Sequence, residues 1–285
     1  MKSLLFLYFF VAMAFSAVAS SVSESYVIPY PQQMVVGEGH FVLQKNAFFS
    51  CNLKGADKED FVKYVGQSPF ALTYKKRGKT DIVFKLVSPK QSQMKEEAYR
   101  LEVTKKGIQV EATSASGLFY AFQSINQLVQ PAGSNTFLLP EVTIEDTPRF
   151  AYRGMHLDVS RHFYTKEFVK KQLDALARYK LNRFHWHLTD GAGWRIEIKK
   201  YPELTRETAY RPFPDWKSWW NGGRTYCRQD APGASGGYYT QEDVKEIVEY
   251  ARQRHITVIP EIEMPAHSEE VLAALPQLAC GGDLK

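Results

Sequence analysis

Cysteine is scarce in this sequence: Cys51, Cys227 and Cys280 are the three in 285 residues. They are odd in number and far apart, which argues against a disulfide framework and against a structural zinc site. Runs of one charge are lacking as well. The formal net charge is +5 with both signs interspersed, so nothing points to a nucleic-acid surface. What is present is an ordinary globular composition, 44% hydrophobic and 14% aromatic, enough to bury a substantial core and to fill two domains.

An apolar run opens the chain. Residues 1–20, MKSLLFLYFFVAMAFSAVAS, carry Lys2, an apolar stretch from Leu4, and the small residues Ala17, Ala19 and Ser20 at its end. The run is short for a membrane anchor and closes on an A-x-A pattern, the layout of a secretory signal peptide. No cysteine follows it directly, so no lipoprotein attachment site is read. The expectation is an exported protein, periplasmic or extracellular, with no stable membrane insertion.

Residues 41–129 read as strands with one helix. In YRLEVTKKGIQVEA, Tyr99, Leu101 and Val103 alternate, the chain turns at 105–107, and Ile108, Val110 and Ala112 alternate in return, which is a hairpin. SGLFYAFQSINQLV then places Leu118, Ala121, Phe122, Ile125, Leu128 and Val129 on one helical face. Together they predict a small α+β domain, a helix over an antiparallel sheet, spanning residues 21–146. The Pro- and Gly-punctuated segment QPAGSNTFLLPEVTIEDTPRF reads as its exit.

From residue 147 the pattern alternates strand and helix. RGMHLDV, NRFHWHLTD and ITVIPEIEM read as strands. Val169, Leu173 and Leu176 mark one intervening helix; TQEDVKEIVEYARQRH is the other, opening on Thr240 and Asp243 at capping-box spacing. This is the grammar of a parallel sheet, and in an α/β barrel the functional residues gather at the carboxyl ends of the strands. Those ends carry Asp158, Arg161 and His162; His185, His187 and Asp190; and Glu261, Glu263 and His267. Buried charges need partners, so three polar strand ends in a row are hard to attribute to packing alone. Alternation puts His185 and His187 on one face and Trp186 on the other.

RGMHLDVSRHF, LNRFHWHLTDGAGWRIEIKKYPEL and VIPEIEMPAHS, in this order and at these separations, closely resemble the family 20 glycoside hydrolases, the β-N-acetylhexosaminidases. YRLEVTKKGIQVEATSASGLFYAFQSINQL resembles the accessory domain that precedes their barrel. Two departures are small: Ala266 stands where glycine is usual, and Glu263 where aspartate is common. A larger one is that the family's catalytic Asp-Glu pair, in an H-x-G-G-D-E type motif at the end of the fourth barrel strand, is not found before Lys285. The adjacent pairs of one aspartate with one glutamate are Glu59-Asp60, Glu145-Asp146 and Glu242-Asp243. A closed (β/α)8 barrel needs about 200–250 residues. Residues 147–285 supply three β/α units, so the expected architecture is an α+β accessory domain followed by the first part of a TIM barrel, with the catalytic pair beyond Lys285.

The resemblance implies substrate-assisted retaining hydrolysis of terminal N-acetylhexosamine residues from oligosaccharides or glycoconjugates, with no cofactor and no metal. It implies that Arg161 hydrogen-bonds the outer sugar hydroxyls, and that Asp190 and His267 surround the catalytic acid and the substrate. Asp158, His187 and Glu263 are supporting candidates: Asp158 as partner of Arg161, His187 in a hydrogen-bonded core layer, and Glu263 lining the pocket or pairing with a cation. Two other functions stay open, a non-catalytic exported sugar-binding protein and a metal-dependent barrel hydrolase built on the H-x-H pattern. The loop holding Trp216, Trp219 and Trp220 is either a sugar-stacking platform or a pin for its own backbone.

Overall fold

A computed structural model describes residues 27–281. The signal-peptide reading of residues 1–20 lies outside them, as does Lys285.

The hairpin forms as its alternation requires: Tyr99–Thr104 pairs antiparallel with Gly107–Ala112, and all six apolar side chains point into the core. The helix Ala115–Leu128 follows, its amino terminus capped by the Ser114 hydroxyl accepting from the Gly117 amide at 3.1 Å. Leu118, Phe119, Phe122, Ile125 and Leu128 are almost wholly buried along it. At about 1.5–3 kcal/mol for each such side chain removed from water, they contribute on the order of 10 kcal/mol before entropy is counted.

Two expectations are corrected here. The sheet is mixed, because Ile82–Leu86 runs parallel to both Gly107–Ala112 and Phe48–Cys51. A second helix, Gly55–Gly66, turns Phe61 and Val65 inward and supplies the crossover between two of those parallel strands. The presumed exit segment is also part of the sheet: Thr136–Asp146 lies between Gln33–Gln44 and Tyr99–Thr104, antiparallel to both. Pro140 is tolerated there because it sits where Gln33–Gln44 bulges, between Val36 and His40, and the ladder is already interrupted.

Beyond it, Gly154–Asp158, Arg183–His187 and Thr257–Glu261 form a three-stranded parallel sheet with Arg183–His187 in the middle. Helix Lys166–Arg178 buries Val169, Leu173, Leu176 and Ala177. Helix Gln241–Arg252 buries Ile247 and Ala251, while Val248 is 44% exposed. Its capping box is complete: Thr240 Oγ1 accepts from the Asp243 amide at 3.1 Å, and the Asp243 carboxylate accepts from the Thr240 amide at 3.0 Å. This is the strand–helix alternation expected of the opening β/α units of a barrel.

The two units share one contiguous apolar core. Their polar seam is tied by Lys180, whose buried ammonium donates to the Tyr99 hydroxyl at 2.8 Å and to Asp146 at 3.3 Å. Arg153 pairs with Glu97 at 3.0 Å and Arg252 with Asp60 at 2.9 Å. These contacts orient the parallel strands, and so the groups at their ends.

Candidate active site at the strand ends

Register decides which polar groups meet. Asp158, His187 and Glu261 stand level on the three neighbouring strands, with His156 and His185 level one step earlier, all on the same sheet face. Trp186 takes the opposite face, fully buried against Phe184 and Tyr239, as the alternation required.

Beyond the first strand the chain turns tightly. Asp158 Oδ1 accepts from the amides of Ser160 and Arg161, at 2.9 and 3.0 Å, while its Oδ2 accepts from the Arg161 guanidinium at 2.7 Å. The other guanidinium nitrogen of Arg161 lies 2.6 Å from Asp190 Oδ2. One planar fork therefore bridges carboxylates from two strand ends, a task for which lysine lacks the geometry. Burial would raise the Asp158 carboxyl, but the hydrogen bonds and charge of Arg161 outweigh it and hold the group below its ordinary value. Asp190 goes the other way: burial pushes its carboxyl up, and Arg161, His267 and His187 oppose this without cancelling it.

Asp190 sits in a tight hairpin in which Thr189–Asp190 pairs with Gly193–Trp194. Ser160 Oγ donates to the carbonyls of Asp190 and Gly193, at 3.1 and 2.9 Å, and ties the first strand's turn to this one. The Glu263 amide donates to Thr189 Oγ1 at 2.9 Å and brings in the third. From that third loop His267 approaches, with Nδ1 3.3 Å from Asp190 Oδ2. Its backbone is left-handed at φ 53°, a strained setting for a side-chain-bearing residue. Arg161, Asp190 and His267 thus converge, with Asp158 behind Arg161. His162 does not join them: it is exposed and rests on Tyr164.

Below this row, Glu261 is the hub of an imidazole cluster. Its Oε2 lies 2.5 Å from His185 Nε2, 3.5 Å from His187 Nδ1 and 3.7 Å from His156 Nε2. His156 Nε2 is also 3.2 Å from His187 Nδ1, and His187 Nε2 is 2.8 Å from the Thr189 carbonyl. His187 therefore spans from Glu261 to the Asp190 turn, whose carboxylate is 3.6 Å away. Burial and the neighbouring imidazoles lower the His156 pKa. Glu263 leans on Glu261; their shared hydrogen bond raises the Glu263 carboxyl, while at Glu261 that bond and the imidazoles outweigh desolvation and lower it. His156, His187 and Glu261 offer ligand atoms within 4.8 Å of one another, a spacing that a cation can bridge.

Sequence reasoning missed four residues here. His156 was legible, since it precedes Asp158 by two on a strand and must share its face. Arg195 is fully buried and donates to the carbonyls of Val159, Ser160, Ala209 and Gly237, binding the turn after the first strand to the long loop. Its guanidinium lies against Gly193, where a Cβ would stand 2.5 Å from it. Arg211 donates to the Arg161 carbonyl at 2.7 Å. Glu270 lies wholly buried on the helix Glu269–Ala274, and neither of its oxygens has a hydrogen-bond partner among the described residues. A cleft of about 710 Å³ lined by Glu197, Lys199, Arg206, Arg228 and Asp230 shares no residue with the strand-end cluster, so charge and convergence identify the site, not concavity.

The chain resembles known proteins along most of its length. The family model for the catalytic domain of glycosyl hydrolase family 20 matches residues 150–285, and the model for domain 2 of the same family matches residues 24–147. A beta-hexosaminidase of Porphyromonas gingivalis is 48% identical over 193 residues, 66% of this chain and 23% of that protein. One from Vibrio vulnificus is 36% identical over 250 residues, 88% of this chain and 28% of that protein. The crystal structure of a GH20 exo beta-N-acetylglucosaminidase from Vibrio harveyi, in complex with N-acetylglucosamine, superposes with a TM-score of 0.75 at 34% identity, covering 88% of this chain and 38% of that one. The beta-N-acetylhexosaminidase of Bacteroides fragilis gives a TM-score of 0.75 at 34% identity, covering 90% and 48%. The chain spans about a quarter of the length of the curated relatives it matches.

Proposed function

Because the chain belongs to glycosyl hydrolase family 20, we propose that its protein is a β-N-acetylhexosaminidase, releasing terminal non-reducing N-acetylglucosamine or N-acetylgalactosamine with retention of configuration. The observation that carries this reading is the Arg161 fork, held between Asp158 and Asp190 at two parallel strand ends with His267 closing from a third. Arg161 presents fixed donors to the outer hydroxyls of one sugar. Asp190 and His267 form a carboxylate–imidazole pair that positions and tunes a neighbouring acid.

In the reaction the oxygen of the sugar's own 2-acetamido carbonyl attacks the anomeric carbon, and the glycosidic bond breaks as a glutamic acid protonates the leaving oxygen. Water then opens the resulting oxazolinium ring with that glutamate as base, and the second inversion restores the configuration. We assign the acid and the aspartate that steadies the acetamido N–H to sequence outside these 285 residues. The adjacent Asp/Glu pairs within them are engaged elsewhere: Asp60 with Arg252 at 2.9 Å, Glu145 with Arg100 at 2.9 Å, and Asp243 with Lys166 at 2.7 Å. The leader-like residues 1–20 support an exported protein.

The test is dependence on the acetamido group. The product of the complete reading frame should cleave an aryl N-acetyl-β-glucosaminide, slow progressively as the acetyl methyl is fluorinated, and leave the aryl β-glucoside intact. Equal rates on N-acetylated and plain glucosides would remove the proposal. The spacing of His156, His187 and Glu261 supports a second reading, a metal-dependent hydrolase. Loss of turnover on chelation, restored by a divalent cation, would favour it.

A further inference from the structure

The long loop after the second parallel strand folds a short helix, Trp216–Asn221, whose first turn is fastened by Asp215: its carboxylate accepts from the Ser218 amide at 2.9 Å and from the Ser218 hydroxyl at 2.8 Å. The three tryptophans in it divide the work. Trp219 is buried, donates its indole N–H to the Thr225 carbonyl at 3.1 Å and packs on Tyr226, so it pins the loop. Trp216 and Trp220 remain 40% and 44% exposed, their ring centroids 5.4 Å apart and their planes 32° from parallel. Among the described residues the two rings stand side by side and partly uncovered.

They are held in place from behind. Gly223, at φ 88°, turns the chain so that the Arg224 guanidinium lies 3.5 Å over the Trp220 ring. Arg224 is in turn 3.6 Å from Glu269, whose carboxylate occupies the space a Cβ on Gly191 would need. A second tether runs from Trp219 through Tyr226, whose hydroxyl donates to the Gly191 carbonyl. Both tethers end on Gly191, the residue next to Asp190. The aromatic pair is therefore tied to the turn that carries Asp190, and a surface already ordered costs little entropy when it takes a ligand.

We propose that Trp216 and Trp220 form a subsite for the second sugar of the substrate, the residue that carries the leaving oxygen. This rests on the glycosidase reading above. A β-linked N-acetylhexosamine in its chair form shows one face of axial C–H groups and a rim of equatorial polar groups. Such a face stacks on the rings while the Arg224 and Glu269 side chains meet the rim. The subsite favours saccharide leaving groups over small ones, and acts on substrate capture more than on the chemical step.

The experiment uses the product of the complete reading frame, with Trp216→Ala and Trp220→Ala made singly, since neither ring belongs to the buried core of the described residues. Two substrates are compared: N,N'-diacetylchitobiose, which has a second sugar, and N-acetyl-β-glucosaminyl fluoride, which has none. Each variant should lose about tenfold in kcat/KM for the disaccharide, mainly through KM, and keep its value for the fluoride. Equal losses on both substrates, or no loss on the disaccharide, would overturn the proposal. If the protein turns over neither substrate, the glycosidase reading fails by itself and fluorescence decides for the subsite. A shift of tryptophan emission on titration with N,N'-diacetylchitobiose that vanishes in Trp216→Ala upholds it, and a titration without a shift refutes it.

Discussion

The burial of Glu270 has a calculable consequence. Its side chain is wholly inaccessible, neither oxygen is hydrogen-bonded among the described residues, and Asp190 and Glu269 add negative charge nearby. Desolvation first, then those two carboxylates, push its pKa from 4.5 up to about 8. A carboxyl whose folded value exceeds its unfolded one binds more protons when folded, so folding is favoured below pH 4.5 and loses free energy as pH rises toward 8. At about 1.4 kcal/mol per unit of difference, the gap amounts to ~5 kcal/mol at most, and relaxation of the site brings it nearer ~3 kcal/mol. Glu270→Gln keeps the volume and removes the ionisation. Thermal melts of wild type and variant at pH 4.5 and at pH 8.5 should differ little at the lower pH, and by roughly 5–10 °C in favour of the variant at the higher. A constant difference across the range would show that Glu270 is solvated or paired in solution, and the reasoning about its burial would be wrong.

Other residues make narrower claims. Thr240→Ala breaks a complete capping box and should cost about 1 kcal/mol, a fall of ~3 °C in Tm, with Thr240→Ser restoring most of it. Trp186→Ala empties the buried side of the parallel sheet and should cost about 3–5 kcal/mol, seen as a lower denaturant midpoint at unchanged slope. Lys180, drawn down to about 8 chiefly by desolvation, binds fewer protons folded than unfolded between pH 8 and 10.5, so stability should rise across that window. Lys180→Met should remove that rise in a series of melts, and its persistence would place the titration elsewhere.

Local periodicity carried much of the fold. The hairpin at 99–112, the helix Ala115–Leu128 and the three parallel strands each satisfy a period of 2 or 3.6 that survives in the folded chain. What was not legible depended on partners distant in sequence. Pro140 reads as punctuation until Gln33–Gln44 is seen to bulge opposite it. Helix Gly55–Gly66 buries only Phe61 and Val65, too narrow a stripe to announce itself. At the site, polar residues ending apolar strands marked nine candidates, and the resemblance to family 20 chose Arg161, Asp190 and His267 from among them. Glu270 could not, since acidic residues in a first helical turn ordinarily face water; here it is turned inward, near Asp190, Arg195 and Tyr226. The Arg195 anchor was equally silent, its partners being four carbonyls that no side-chain pattern reveals.

The decisive measurement is kcat/KM for an aryl N-acetyl-β-glucosaminide with the complete protein and with Arg161→Lys, alongside the melting temperature of each. The substitution keeps the charge between Asp158 and Asp190 and abolishes the fork. If the strand-end cluster is the sugar pocket, kcat/KM should fall about 10²-fold or more, equivalent to one or two charge-assisted hydrogen bonds to the substrate, at a nearly unchanged melting temperature. Activity within twofold of wild type would mean that Arg161 only holds the loops together, and that the sugar binds elsewhere.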